Sequence, residues 1–171
     1  MFLGVRDSER TTVNKKTTRA AGPTRRSAEI DFDLLPGLIG YNLRRAQVVL
    51  FAGLSNALSD LELTPGLFGL LVLVGSNPGL SQSALARAMG IERSTMVASI
   101  DGLESRGLVE RRPSPVDRRS NALVLSRKGK SLLKRAKEVV RGCEEDLFGG
   151  LAEEERETLR QLLRRIWSRP A

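Results

Sequence analysis

The 171-residue sequence has no histidine and a single cysteine, Cys143. These lacks exclude an internal disulfide, a Cys/His zinc site and the usual histidine-based nucleophile–base pair. No Gly-rich phosphate loop is present either, so the chain reads as a non-enzyme without cofactor or metal. Aromatic residues are 4% of the chain against 40% hydrophobic residues overall, so Leu, Val and Ala must fill the core. That composition suits packed helices better than a sandwich or barrel. No apolar run approaches the about 18 residues of a membrane span, and the longest candidate, 67–74, reads as a buried helix. A soluble cytoplasmic protein is the expectation.

Basic charge is plentiful. The net charge of +8 favours a polyanionic partner, and charge alone fits nucleic acid or acidic lipid equally. In residues 1–30, seven cations (Arg6, Arg10, Lys15, Lys16, Arg19, Arg25, Arg26) face Asp7, Glu9 and Glu29 without apolar periodicity. This stretch reads as a disordered basic arm or an over-extended start, with an arm lying along DNA as the alternative.

Residues 33–60 predict a long helix, capped by Asp33 with Pro36 in its first turn. Its stripe of Leu35, Ile39, Leu43, Ala46, Leu50, Leu54, Leu58 and Leu61 is widened by Leu38, Val49, Phe51 and Ala57, more than one partner surface needs. Thr64-Pro65 opens a second helix, and Ser76-Asn77-Pro78-Gly79 ends it. Ser81 caps a short helix, Gly90 makes a tight corner, and a fourth helix runs to Ser105 with Met96, Val97, Ile100 and Leu103 inward. Gly107 suits a left-handed cap. Residues 108–112 and 122–126 alternate as paired strands around a Pro-containing loop. Residues 131–147 then predict a helix. Gly149-Gly150 interrupts it before a last helix that starts at Glu153 and buries Leu159, Leu162, Leu163, Ile166 and Trp167.

This order reads as a mainly α winged helix-turn-helix with a two-stranded β-wing and an all-helical dimerisation region. The fourth helix turns Arg93, Ser94, Thr95, Ala98 and Ser99 away from its apolar stripe. Short side chains there allow close approach to base edges, and Arg93 can reach phosphate or guanine. An ordinary solvated helix face would look the same in isolation. Beyond it, nine cations between Arg111 and Arg135 face one acid, Asp117. Arg111, Arg118 and Arg119 are the wing candidates, with Asp117 orienting Arg119 towards a narrow minor groove. Ser81, Gln82 and Ser83 open the preceding helix, whose N–H groups favour phosphate. Duplex DNA is the expected partner, and a non-specific architectural binder is the alternative.

Residues 33–168 resemble the MarR (multiple-antibiotic-resistance-type) family of transcription regulators. Asp117-Arg118-Arg119-Ser120 running into Leu123-Val124-Leu125-Ser126-Arg127-Lys128-Gly129 carries the likeness. Gly107-Leu108-Val109-Glu110-Arg111 matches the family's helix exit, and Leu85-Ala86 with Gly90 its first DNA-binding helix. The resemblance implies a homodimer with interlocked first and last helices, a pseudo-palindromic operator, and a repressor released by a small effector. With the 1–30 arm lying outside the likeness, it implies a 31–62 dimerisation helix, a 63–129 DNA-binding lobe and 130–171 C-terminal dimerisation helices.

The family's effectors are often aromatic acids or phenols. The stretch LPGLIGYNLRRAQ resembles members answering to aromatic acyl-coenzyme A thioesters, which makes Tyr41, Asn42, Arg44 and Arg45 the candidate effector residues. Solvation or cross-subunit pairing would equally account for Arg44 and Arg45. Cys143, flanked by Glu144 and Glu145, sits in a poor setting for a reactive thiolate and reads as a small structural residue.

Overall fold

Local capping chemistry sets several helix starts in the computed structural model, which describes residues 30–113 and 121–168. A 3-10 turn at Leu35–Gly37 leads into α1 (Ile39–Leu58), and a second, Ser59–Leu61, closes it. Then follow α2 (Pro65–Ser76), α3 (Gln82–Met89) and α4 (Arg93–Ser105). β1 (Val109–Pro113), β2 (Asn121–Leu125), α5 (Arg127–Phe148) and α6 (Glu153–Trp167) complete the order. Thr64 Oγ1 accepts from the Leu67 amide at 3.2 Å with Pro65 at N1, and Ser81 Oγ accepts from Ala84 at 3.2 Å. Each satisfies an amide that the helix itself leaves orphaned. Gly90 and Gly107 take φ of 63° and 68°, the left-handed values that their corners require.

β1 and β2 pair antiparallel, Val109 opposite Leu125 and Pro113 opposite Asn121. The free edge of β2 is partly covered, since Gly79 donates to the Leu123 carbonyl and Leu123 donates to that of Leu80. Leu70, Leu71 and Val74 of α2, Leu85 of α3, Met96, Ile100 and Leu103 of α4, and Leu108 and Leu123 of the wing form one closed core with Leu58. α5 packs on α1, α2 and β2 and so joins the lobe to the first helix. Its start is pinned: Ser126 Oγ accepts from Gly129 and donates to the Gly107 carbonyl. A Cβ on Gly129 would lie 2.0 Å from the Leu108 oxygen, so this crossing admits glycine alone. No single helix among the described residues is long and apolar enough to cross a membrane.

Several expectations need correction. Asp33 does not cap the first helix: it takes φ 48°, and α1 starts six residues later after extended Leu38. Pro36 belongs to the separate 3-10 turn, whose tighter winding accepts the missing N–H equally well. Each strand shifts by one residue, to 109–113 and 121–125, because the Ser126 hydroxyl is taken as a helix cap. α5 accordingly begins at Arg127 rather than Ser131. Val97 is exposed. The largest correction concerns α6, which buries none of its residues within the chain: Leu159, Leu162, Ile166 and Trp167 are all exposed. The expected basic arm of 1–30 lies, except for its last residue, outside the described residues, as do Asp117, Arg118 and Arg119.

Candidate nucleic-acid interface

The α4 stripe of Met96, Ile100 and Leu103 is buried, which turns the opposite face outward. Arg93, Ser94, Thr95 and Ala98 are exposed there, and Ser99 is half-buried with its hydroxyl donating to the Thr95 carbonyl at 2.8 Å. No side chain caps the start of α4, so its first amides stay open to an anion. A groove of about 590 Å³ lies between α3 and the start of α4, lined by Ser83, Ala86, Arg87, Gly90, Ile91, Glu92 and Arg93. It brings together Ser83 and Arg93, which the sequence had singled out, with Arg87, which it had not. The four-residue spacing of Ser83 and Arg87 on one helix face was the signal that could have found it.

The other candidates are more constrained. The Ser81 hydroxyl is occupied as the α3 cap. Arg111 forms ion pairs with both Asp101 and Glu104 of α4, and its amide donates to Glu104 Oε1 at 3.3 Å. Turned with its carbonyl towards the guanidinium, the Gln82 amide accepts from Arg111 Nε at 3.2 Å and Nη2 at 2.7 Å. Burial alone would lower the Arg111 pKa. The hydrogen bond to Asp101 and the charges of Glu104 and Asp101 outweigh it, and the group is held above its ordinary value. Arg112 pairs with Glu110 at 2.8 Å, and Lys128 Nζ donates to the Arg106 carbonyl at 2.9 Å.

Of the effector candidates, Tyr41 and Arg45 come together. Arg45 Nη1 donates to the Tyr41 hydroxyl at 3.1 Å, and its guanidinium stands 5.8 Å from the ring centroid. Phe32 lies on the same ring at 6.3 Å. Asn42 is committed elsewhere: its Nδ2 donates to the carbonyls of Pro36 and Leu38, both at 2.8 Å, and ties the 3-10 turn to α1. Arg44 is exposed.

The sequence model of the MarR family matches residues 61–120, the span from the end of the first helical region into the wing. A putative transcriptional regulatory protein for the hcr operon of Thauera aromatica is 39% identical over 141 residues, covering 82% of this chain and 85% of that protein. The chain belongs to the MarR family. Among solved structures, the transcriptional repressor CouR bound to a 23-mer DNA duplex superposes with a TM-score of 0.77 at 40% identity, covering 81% of this chain and 99% of CouR. CouR bound to p-coumaroyl-CoA gives 0.75 at 36% identity, covering 83% and 100%. The fold is thus the MarR winged helix, with α3 and α4 as its helix-turn-helix and β1–β2 as its wing.

Proposed function

We propose that this MarR-family chain is a cytoplasmic, homodimeric repressor, not an enzyme, that leaves a pseudo-palindromic operator when a small anionic aromatic effector binds. One observation carries the DNA reading: the small, polar, outward face of α4 stands beside a basic wing, in a fold shared with a repressor bound to duplex DNA. In this reading Ser94, Thr95, Ala98 and Ser99 face base edges. Arg93, Arg87 and the α3 start with Ser81 and Ser83 meet phosphate. Arg119 reaches the minor groove with Asp117 orienting it, and Arg118 contacts DNA beside it.

The division into a 1–30 arm, dimerisation segments 31–62 and 130–171, and a 63–129 lobe belongs to the same reading. Exposed apolar residues on α1 and α6 support the pairing of two chains, which sets two α4 helices ~34 Å apart, one DNA turn. For the effector, the aromatic and cationic pair Tyr41–Arg45 suits an aromatic acid or its thioester, and the p-coumaroyl-CoA complex of CouR supports that class.

Selection from random duplexes, followed by competition, tests the DNA reading. The selected site should be preferred by about 10³-fold or more over random duplex. A smaller ratio would mark a non-specific architectural binder. Added p-coumaroyl-CoA or salicylate should then release the selected duplex, and Arg45→Ala should abolish release while leaving DNA affinity unchanged.

A further inference from the structure

Three elements that the proposed function sends to DNA meet at one side chain. Arg111 leaves β1 and runs back under the recognition helix, where Asp101 and Glu104, nearly one turn apart on α4, take its guanidinium from two sides. Gln82, the first residue of α3, closes a third side through its amide carbonyl. The Glu104 carboxylate also accepts the Arg111 backbone amide, so it grips both the strand and its side chain. The side chain of Arg111 is only 21% exposed, and most of its N–H donors are already committed. Such a group has little left to offer a phosphate. A planar guanidinium between two carboxylates does fix direction, because its fork admits few relative orientations of the groups it bridges.

We infer that Arg111 is a positioning residue rather than a DNA contact: it locks the wing and the α3 start to the recognition helix and so sets the angle at which all three reach the duplex. The inference rests on the DNA-binding reading for its consequence, and on the ion cluster itself for its existence. Sequence specificity depends on that angle, since base edges are read through short bonds of narrow geometry. Bulk attraction to phosphate depends on it much less.

Two variants separate positioning from contact. Arg111→Gln should lower the ratio of selected-site to random-duplex affinity about ten- to a hundredfold, while the slope of log affinity against log salt stays the same. A phosphate contact would instead cost affinity equally on both duplexes and reduce that slope by about one. Arg111→Lys should fail to rescue the ratio, because a point charge cannot bridge both carboxylates. Asp101→Ala/Glu104→Ala leaves Arg111 in place and removes two negative charges near DNA. Positioning requires the ratio to fall here too, whereas a freed contact arginine would tighten binding to every duplex. Amide hydrogen exchange in 109–112 and 121–125 reads the clamp without DNA. It should speed up in Arg111→Gln while α1 and α5 are unchanged, and unaltered exchange would overturn the clamp. Wild-type protein indifferent to all duplexes would defeat the DNA-binding reading, and with it the specificity role, whatever the exchange data show.

Discussion

The DNA-binding lobe and the helices flanking it solve burial in opposite ways. In the lobe, Leu70, Leu71, Leu85, Met96, Ile100 and Leu103 lose essentially all contact with solvent inside one chain. In the flanking helices, Ile39 is 77% and Trp167 74% exposed, and Leu43, Val49, Phe51, Leu162 and Ile166 are exposed too. The first helix shows both solutions in one stripe: Ile39 and Leu43 are exposed, Leu50 and Leu54 half-buried, Leu58 fully buried. Apolar spacing alone therefore does not say which surface a residue meets. A lobe closed within the chain can hold its reading helix rigid before any partner arrives, whereas α1 and α6 leave apolar area open, the area to which the proposed function assigns a second copy.

The sharpest way to break this contrast is to cut into the closed core. Ile100→Ala, beneath the α4 reading face, should lower unfolding free energy by about 2–5 kcal/mol in urea titrations. A loss below 1 kcal/mol would mean that the lobe is not the rigid half. Gly129→Ala tests the joint between the two halves. The added methyl meets the Leu108 carbonyl, so either α5 or the β1 start must move, at a cost of about 3 kcal/mol. Near-infrared or ultraviolet melting curves that match wild type would show that the crossing has slack.

How far the sequence reveals these features depends on the distance over which each is determined. Thr64-Pro65, Ser81, Gly90 and Gly107 are legible because a cap or left-handed corner is decided within four residues. Ser126 misleads, since strand alternation continues into it while its hydroxyl is claimed by Gly129. Pro36 misleads too, because a proline near a helix start fits a 3-10 turn as well as an α-helix. The meaning of Gly129 lies in a backbone twenty-one residues away, and that of Arg111 in Gln82 and Asp101, which only the fold brings together. The outward face of α4 was readable from its apolar spacing. The saturation of Arg111 was not, because a cation in a basic stretch looks the same whether its acids lie in solvent or beside it.

On the open side, Ile39→Ala and Ile166→Ala should leave the lobe intact and act on association. If a second chain covers these residues, each truncation loses roughly 1.5–3 kcal/mol of burial per side chain, which raises the dimer dissociation constant at least tenfold. Sedimentation equilibrium reads this directly. An unchanged constant, or a wild-type chain that stays monomeric, would leave the exposed stripe without its proposed cover.

The smallest expected effect separates structure from recognition at a single atom. Ser81 Oγ caps α3 at the point where the helix is proposed to face phosphate. Ser81→Ala removes the cap and should cost about 1 kcal/mol of stability. DNA affinity should change little, because the backbone amides remain. Ser81→Asp keeps an acceptor for the Ala84 amide and sets a negative charge on the positive helix end, so stability should hold to within about half a kcal/mol. The same charge repels phosphate, and duplex affinity should fall with it, more steeply at low salt than at high. Opposite orders of the two variants in stability and in binding are the expected signature. If Ser81→Asp binds DNA as well as wild type does, the α3 start faces solvent, and the interface narrows to α4 and the wing.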